Sequence, residues 1–360
     1  MKKAIIVTWF NSGRNYGQTL QAYALQTKLK ELNVDAQLLY FGAEVYNSIP
    51  LLNDIYHIFK LDKSKWLTQF KFNRFVNKYL NVSKPLRRTK YILNYLEKYN
   101  PELLICGSDQ IWNPHNISPI FYLSGIGCEN SKRISYGASI CNPIYKNKFG
   151  EQPCVKEWLN KFSAISVREN SGKEIIKDLF GFESEVVLDP TLLFTGEEWL
   201  KLLNLNNNNN NKTKYLLCYL FNISEKQKKF IEQRAKALKL KVEYGNVLIN
   251  NNLKTEAWSP IDFLNKIRNA EEIITDSFHG TVFSILFHKN FFVFDNGKEK
   301  GSDPYYNIDR MTTLLNKIDL SNRILDDSLL CKETIIDYNK IDSILDQERK
   351  KSIAFLHKNI

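Results

Sequence analysis

Residues 272–287 read EIITDSFHGTVFSILF and decide how this 360-residue chain folds. The apolar run at the start ends at Thr275, and apolar residues resume at helical spacing after Gly280. This pattern predicts a strand, a tight turn and a helix. His279 would then stand at the helix start and at the carboxyl edge of a parallel sheet, where unpaired backbone N–H groups favour anionic ligands. An imidazole there can transfer a proton near neutral pH, or it can simply cap the turn.

Length and composition predict a globular protein with two domains. The chain exceeds the size of a usual single core, and its 43 % hydrophobic and 13 % aromatic residues allow substantial cores. No apolar stretch approaches the roughly 20 residues of a membrane span. Residues 1–7 resemble the basic tip of a signal peptide, but the polar residues 11–15 cut it too short. We therefore interpret the start as a first strand in a cytoplasmic protein.

Cysteines and charge narrow the expected partners. The six cysteines are scattered, with no Cys-x-x-Cys pair and no histidine at metal-ligand spacing, so we expect reduced thiols and no metal. The net charge of +11 suits a phosphorylated small molecule, a polyphosphate-linked substrate or an acidic membrane surface. No recognisable nucleic-acid module accompanies this charge, so nucleic acid is not an expected partner.

Strand and helix patterns alternate through both halves of the chain and predict an α/β fold. A tract of six consecutive asparagines separates the halves and is typical of a solvated linker. An aromatic-rich helical insertion in the first half is either a lid or acceptor-facing surface, or a plain packing layer. The predicted segments are an N-terminal domain at 1–195 with the insertion at about 47–80, a linker at 196–213, a C-terminal domain at 214–330, and a final stretch at 331–360 whose helix runs from Thr334 to His357 and packs back.

The turn between the first strand and the first helix is a candidate site. Asn15, Tyr16 and Gly17 lie there, and the glycine lets the backbone approach an oxyanion or a sugar. No Lys-Ser or Lys-Thr pair follows Gly17, so the turn is not a nucleotide P-loop. An ordinary turn explains the same pattern. The helix after it is predicted from Thr19 to Leu32.

A second cluster of polar residues follows the apolar run 103–106. Carboxylate and amide groups can bond sugar hydroxyls while an indole packs on the ring face, which is typical of a wall for a hydroxylated ligand. A structural Asx turn with a core tryptophan is the alternative. The candidates here are Ser108, Asp109, Gln110 and Trp112.

Cationic side chains are predicted at the same edge of the sheets. Arg168 ends a strand and suits bidentate binding of a carboxylate or phosphate, or it pairs with Asp189 or near Glu169. Loops after the strand 291–295 add further cations, although loop lysines are often only solvated. These loop candidates are Lys298, Lys300 and Arg310.

Together these motifs resemble the polysaccharide pyruvyl transferase family, from residue 15 to about residue 325. Each motif is moderately specific, whereas their common order and spacing are distinctive. The matching motifs are NYGQTLQA at 15–22, GSDQIWN at 107–113, ISVRE at 165–169, LDPT at 188–191 and DSFHG at 276–280.

The resemblance implies two Rossmann-like domains facing a central cleft, similar to the GT-B glycosyltransferases, with phosphoenolpyruvate as donor and no cofactor. The family's histidine maps to His279 and its strand-end arginine to Arg168. Some members carry Arg-Leu-His where this chain has Ser277, Phe278 and His279, so donor binding would rely on other cations. With His279 as the catalytic residue, the substrate-binding candidates are Arg168, Ser277, Gly280, Lys298, Lys300, Arg310, Asn15, Tyr16, Gly17, Ser108, Asp109, Gln110 and Trp112.

Three functions follow as hypotheses. The first is transfer of pyruvate to a sugar of a cell-surface polysaccharide or its lipid-linked precursor, forming a ketal and releasing phosphate; peripheral contact with the inner face of the membrane is compatible with it. The alternative is a GT-B-type nucleotide-sugar glycosyltransferase, because fold does not determine function. A third hypothesis is a non-catalytic basic module, whose binding would fall steeply with salt and ignore His279.

Overall fold

A computed structural model describes most of the chain. The side chains of residues 63–66, 143–145 and 151 are outside this description. The described residues are 1–10, 15–41, 63–140, 143–205, 214–221, 223–245, 256–295, 308–325, 328–329 and 334–360.

The N-terminal half contains a parallel sheet in the order β2-β1-β3-β4. A parallel pair, β5 and β6, continues it, because bridges join Ile134 to Ala164 and Ala138 to Val167. Short buried strands of this kind are typical of α/β proteins with both sheet faces covered. The strands are β1 Lys2–Val7, β2 Val34–Leu38, β3 Leu103–Cys106, β4 Lys132–Ser135, β5 Ser166–Val167 and β6 Glu185–Val186.

The C-terminal half forms a second parallel sheet in the order β11-β10-β9-β7-β8. Its centre is β9, which pairs with β7 on one side and β10 on the other. The residues of β9 are buried, as the apolar run predicts. The strands are β7 Tyr215–Tyr219, β8 Lys241–Gly245, β9 Glu272–Thr275, β10 Asn290–Phe294 and β11 Ile324–Leu325.

Helices connect and cover both sheets. Capping boxes at Thr195, Ser224 and Ser259 begin three of them by satisfying unpaired backbone N–H groups. The helices are α1 Tyr16–Glu31, α2 Lys63–Tyr79, α3 Thr89–Tyr99, α4 Cys154–Leu159, α5 Asn170–Ile175, α6 Gly196–Leu202, α7 Glu225–Leu238, α8 Pro260–Asn269, α9 Phe278–Leu286, α10 Asp309–Lys317 and α11 Tyr338–Asn359.

Several predicted element limits are wrong, for local reasons. The first helix begins at Tyr16 rather than Thr19, because the Asn15 side chain caps it by accepting a hydrogen bond from Gln18 N. The last helix begins at Tyr338 rather than Thr334, behind an Asp337 cap.

The predicted domain limits stay predictions. The two sheets do lie on either side of the asparagine tract, but residues 206–213 themselves are outside the described residues, as are 47–62 of the insertion. The described remainder of the insertion is the helix α2. No helix in the described ranges combines the length and the apolar character needed to cross a membrane.

One apolar core joins the two halves and holds their sheets in position. The ring of Tyr16 at the start of α1 stacks on Phe263 of α8, with centroids 4.7 Å apart and planes within 3°. Such a pair contributes about 0.5–1.5 kcal/mol beyond its buried area. Phe283 of α9 packs edge-on against Phe263 and against Trp199 of α6. These contacts bring the starts of α1 and α9 together at the carboxyl edges of both sheets.

The last helix fixes the segment that follows β6. Ser352 of α11 accepts a hydrogen bond from Leu188 N at 2.9 Å, and Arg349 Nε donates to Leu192 O at 3.0 Å. Both contacts link the C-terminus to the N-terminal half. They hold the backbone on either side of Asp189, whose side chain enters the site described next.

Candidate active site

The sequence 272–287 folds as predicted, into strand, tight turn and helix. Ser277 caps α9 by accepting a hydrogen bond from Gly280 N at 3.3 Å, and Thr275 Oγ1 accepts one from Ser277 N at 3.0 Å. A Cβ atom on Gly280 would lie 2.5 Å from Thr275 Oγ1, so the turn needs glycine. Ser277 and Gly280 therefore build the turn that presents His279 in the first turn of α9.

His279 lies between the two halves of the molecule, and its residue is 7 % exposed. Its Nδ1 faces Gly17 so closely that a Cβ atom on that glycine would lie 1.9 Å away. Its Nε2 lies 3.6 Å from Asp189 Oδ2, an ion-pair distance when the ring is protonated but slightly too long for a direct hydrogen bond. The ring thus reaches from the second sheet to the loops of the first.

Asp189 is the centre of the hydrogen-bond network around this histidine. Its Oδ1 accepts hydrogen bonds from the backbone N and the Oγ1 of Thr191, at 2.9 and 2.6 Å. Its Oδ2 accepts from Arg168 Nη1 at 2.6 Å and Ser108 Oγ at 3.2 Å. Burial alone would raise the pKa of Asp189, but His279, Arg168 and Thr191 together hold it well below its usual range. The carboxyl group is therefore a fixed anion beside the imidazole.

Arg168 is buried and its charge is balanced inside the protein. Besides Asp189, its guanidinium meets Asp109, with Nη2 3.5 Å from Oδ1. Burial would lower the pKa of Arg168, but the carboxylates of Asp189, Asp109 and Glu169 together raise it. The structure thus contains the Asp189 pair that the sequence left open as the alternative to ligand binding. Its Nε still has no hydrogen-bond partner within the described part of the chain.

Arg310 supplies a second buried guanidinium. It is 9 % exposed, and it forms no ion pair with a carboxylate among the described residues. Its Nε has no hydrogen-bond partner there. Arg310 and Arg168 both lie over the ring of Phe278, at 5.7 and 4.6 Å from its centroid. Cation–π contacts thus hold both cations against Phe278, whose ring is edge-on to that of His279 with centroids 5.2 Å apart.

The strand ends explain why these groups meet. Gly17 follows β1, Asp109 follows β3, Arg168 follows β5 and Asp189 follows β6, while His279 follows β9. Parallel strands place their carboxyl ends along one edge of a sheet, and ligands bind there. The two carboxyl edges meet at His279, and Ser108 joins the cluster through its hydrogen bond to Asp189.

Other candidates from the sequence serve the fold in this structure. The Asn15 side chain is the α1 cap, and the Tyr16 ring is buried in the core. Trp112 has no exposed surface, stacks on Tyr122 and donates its indole N–H to Phe121 O at 2.9 Å. This is the core tryptophan that the sequence left open as the alternative to a ligand wall.

The remaining candidates are Gln110, Lys298 and Lys300. Gln110 is half-buried beside Asp109, whose backbone has a φ of +81° in this turn. Lys298 and Lys300 lie outside the described residues. In the described part of the chain, no three His, Cys, Asp or Glu side chains gather as metal ligands would.

Sequence reasoning missed two residues of this cluster as site residues. Asp189 was treated only as an alternative partner of Arg168, although it follows a strand and lies in the LDPT motif. That position after β6, at the same sheet edge as Arg168, is the signal that identifies it. Phe278 was considered only as part of the motif, because no local pattern shows that two distant arginines lie against its ring.

Two parallel sheets that meet at their carboxyl edges, with a polar site between them, define a GT-B-like α/β protein. UDP-GlcNAc 2-epimerase from Neisseria meningitidis, bound to UDP-GlcNAc, superposes with a TM-score of 0.53 at 12 % identity over 100 % of both chains. The Methanocaldococcus jannaschii UDP-GlcNAc 2-epimerase gives 0.49 at 14 %, over 96 % of this chain and 99 % of that one. Spinosyn rhamnosyltransferase SpnG gives 0.43 at 11 %, over 100 % and 96 %. The first similarity establishes the fold.

The family follows from the sequence. The model of the polysaccharide pyruvyl transferase family matches residues 15–298, which is most of the chain. The protein therefore belongs to the polysaccharide pyruvyl transferase family, as its motifs indicate. No curated protein sequence matches the chain at a significant level.

Proposed function

We propose that this protein transfers pyruvate from phosphoenolpyruvate to two hydroxyls of one sugar, forming a ketal and releasing phosphate. The observation that carries the proposal is the position of His279, whose Nε2 lies 3.6 Å from the buried anion of Asp189 and whose ring is edge-on to Phe278, the ring over which Arg310 lies. Family membership supports the transferase class. The acceptor would be a sugar of a cell-envelope polysaccharide or its lipid-linked precursor, at the cytoplasmic face of the membrane.

The donor would bind beside Phe278. Phosphoenolpyruvate carries a carboxylate and a phosphate, so its site needs cations or N–H donors. Among the described residues Arg310 has no carboxylate partner and its Nε is not hydrogen-bonded, and α9 adds backbone N–H groups of its first turn. Arg168 would act mainly by fixing Asp189 and Phe278, because its own charge is already balanced by carboxylates.

The chemistry requires a group that can give and take a proton. In the proposed reaction, protonated His279 donates a proton to the methylene carbon of the donor, and a sugar hydroxyl oxygen bonds to the neighbouring carbon. The imidazole then takes up that hydroxyl's proton. Phosphate leaves with the electrons of its C–O bond, and the second hydroxyl closes the ketal while its proton passes to phosphate. Asp189 would stabilise the imidazolium form.

Donor binding gives a first test. Phosphoenolpyruvate at about 100 times its Kd should stabilise the protein by about 2.7 kcal/mol, visible as a rise in Tm. Arg310→Met keeps most of the side-chain volume but removes the charge, so the rise should largely disappear. Arg74→Met is the matched control, because Arg74 is exposed on α2 and its loss should leave the rise intact.

The same measurement separates the alternative function. A nucleotide-sugar glycosyltransferase would be stabilised by UDP or CMP sugars and not by phosphoenolpyruvate. The fold similarity to the Neisseria meningitidis epimerase, which is bound to UDP-GlcNAc, makes UDP-GlcNAc the first of these to test. Stabilisation by UDP-GlcNAc alone would contradict pyruvyl transfer.

Gly17→Ala tests the contact between the two halves at His279. The added methyl would overlap the imidazole, so either the ring or the turn must move. We expect a loss of about 1–3 kcal/mol in unfolding free energy, and a fall of up to about a hundredfold in kcat from ring misplacement. Denaturant unfolding and phosphate release measure the two effects. Gly150→Ala is the control, because a methyl there meets no atom within 4 Å. Unchanged kcat in Gly17→Ala would show that this contact is not needed.

A further inference from the structure

Ser139 is a buried serine at the carboxyl edge of the first sheet. It follows β4, it has no exposed surface, and its Oγ forms no hydrogen bond with any residue that the structure describes. A buried hydroxyl without a partner destabilises a fold, so its presence needs a reason. Because ligands bind at this edge of a parallel sheet, a bound ligand is the first reason to consider.

The backbone places Ser139 directly beside Arg168. On one side of the chain, Ala138 O accepts a hydrogen bond from Arg168 N at 3.2 Å. On the other side, Ser139 N donates to Asp109 O at 2.9 Å, as in an extended strand. Ala138 pairs with Val167 in a parallel bridge. The residues that follow this pair, Ser139 and Arg168, are therefore neighbours on strands about 4.8 Å apart.

The side chains of Ser139 and Arg168 share one face of the sheet. Ala138 and Val167 both pack into an apolar cluster within the N-terminal half. Successive side chains of an extended chain point to opposite faces, so the next residue of each strand points away from that cluster. On this second face Phe278 of the C-terminal half covers the Arg168 guanidinium, at 4.6 Å from the ring centroid. Ser139 therefore lies on the active-site face of the sheet.

The two neighbours offer complementary hydrogen-bonding groups. Arg168 Nη1 donates to Asp189, but its Nε has no hydrogen-bond partner in the described chain. A guanidinium N–H can only donate a hydrogen bond, whereas the Ser139 hydroxyl can donate or accept one. A ligand oxygen that accepts from Arg168 Nε and donates to Ser139 Oγ would satisfy both groups. A hydroxyl can do this, and an ionised carboxylate cannot.

The charge around Arg168 also favours a neutral ligand group. The carboxylates of Asp109, Asp189 and Glu169 all act on this one guanidinium. An anionic ligand would meet the repulsion of these carboxylates, whereas a hydroxyl brings no charge. Ser139 and Arg168 therefore suit a sugar hydroxyl better than the phosphate or carboxylate of phosphoenolpyruvate.

We propose that Ser139 Oγ and Arg168 Nε form a subsite that binds one hydroxyl of a sugar. That this sugar is the acceptor of pyruvate rests on the proposed function, whereas the binding of a sugar hydroxyl does not. The subsite is enclosed like the rest of the site, where Arg168, His279 and Arg310 are 4, 7 and 9 % exposed. A ligand would reach all of them when the two halves of the molecule part, as in hinge closure around ligands.

Sugar binding to the full-length Ser139→Ala protein tests the subsite. The probes are the methyl β-glycosides of glucose, galactose, N-acetylglucosamine and N-acetylmannosamine, and the rise in Tm over a concentration series gives each Kd. We expect the wild type to bind at least one of them. Ser139→Ala should raise that Kd roughly two- to tenfold, the effect of one lost hydrogen bond. The Tm of the free protein should not fall, because the hydroxyl has no partner to lose, and the rise in Tm with phosphoenolpyruvate should persist.

Ser184→Ala is the matched control. Ser184 is also buried, and its Oγ has no hydrogen-bond partner within the described ranges. It precedes β6 at the amino end of that strand, so it lies at the opposite edge of the sheet from Ser139. Its replacement removes a hydroxyl of the same kind and should leave the Kd for the glycoside at the wild-type value.

Four outcomes would overturn the proposal. The wild type could bind none of the glycosides, Ser139→Ala could bind them as the wild type does, or Ser184→Ala could lose as much affinity. The fourth outcome is a lower Tm of free Ser139→Ala with equal losses for glycoside and phosphoenolpyruvate, which would show a structural serine. If glycosides stabilise the wild type as expected and phosphoenolpyruvate does not, the proposed function fails while the sugar subsite stands.

Discussion

His279→Gln is expected to lower kcat for phosphate release from phosphoenolpyruvate and acceptor by about 10²–10⁴-fold. Glutamine can occupy much of the imidazole's space and turn its amide toward Asp189, but it cannot give and take a proton near neutral pH. The unfolding free energy should change little, because Nε2 of the ring has no hydrogen-bond partner among the described residues. Phosphate release under saturating donor, together with denaturant unfolding, measures both quantities.

His288→Gln is the matched control for this variant. His288 follows the C-terminal end of the same helix, where its side chain is 49 % exposed and pairs with Asp342. Its replacement should leave kcat unchanged. A His279→Gln protein that releases phosphate at the wild-type rate would remove the imidazole from the chemistry, whatever its effect on donor binding.

The turn around His279 was predictable because its causes are local. An apolar run, a Ser277 cap and a glycine close against Thr275 all lie within a few residues of one another. The edge at which His279 lies was equally predictable, since parallel strands carry their ligand sites at their carboxyl ends. The same rule correctly placed Arg168 and Asp109 at that edge.

The partners of these residues were not predictable from local patterns. The sequence does not show which side of an aromatic residue faces the core, so Tyr16 and Trp112 suited a ligand wall as well as a packed interior. Nor does it show that Arg168 meets two carboxylates, because Asp109 and Asp189 lie far apart in sequence. Whether carboxylates balance the charge of Arg168 depends on how the loops at one edge of the sheet pack against each other.

The pairing of Arg168 with carboxylates also changes which cation is the better candidate for binding an anionic donor. A buried guanidinium held by two carboxylates gains little from a third anion, whereas an unpaired one has a strong reason to bind one. Within the described ranges Arg310 is unpaired, whereas Arg168 is held by two carboxylates. We therefore expect Arg168 to act here mainly through Asp189, whereas the sequence left direct donor binding and pairing with Asp189 both open.

Asp189→Asn is expected to lower the unfolding free energy by about 3 kcal/mol, because it breaks a buried pair and leaves Arg168 with only the more distant Asp109. It should also lower kcat about tenfold or more, since His279 loses the anion that faces it. Denaturant unfolding and phosphate release measure these effects. A variant as stable and as active as the wild type would exclude the carboxylate from both roles.

The effect on stability should depend on pH in a defined direction. Burial opposes ionisation of Asp189, but the opposite effect of its cationic neighbours is larger. The pKa of Asp189 in the folded protein therefore lies below the value of an aspartate in the unfolded chain, about 3.9. A carboxyl group with a lowered pKa stabilises the fold above the unfolded value, and that contribution is lost as pH falls toward the folded value. The gap between wild type and Asp189→Asn should therefore narrow below about pH 4.

Arg168→Met/Asp189→Asn separates structure from chemistry at this site. Removing both charges leaves no unpaired arginine, but Asp109 then loses its ion-pair partner, so only part of the lost stability should return. The activity should not return with it, because the imidazole still lacks the anion that stabilises its protonated form. If kcat recovers together with stability, Asp189 acts only by holding the fold, and the proton chemistry assigned to the His279–Asp189 pair is wrong.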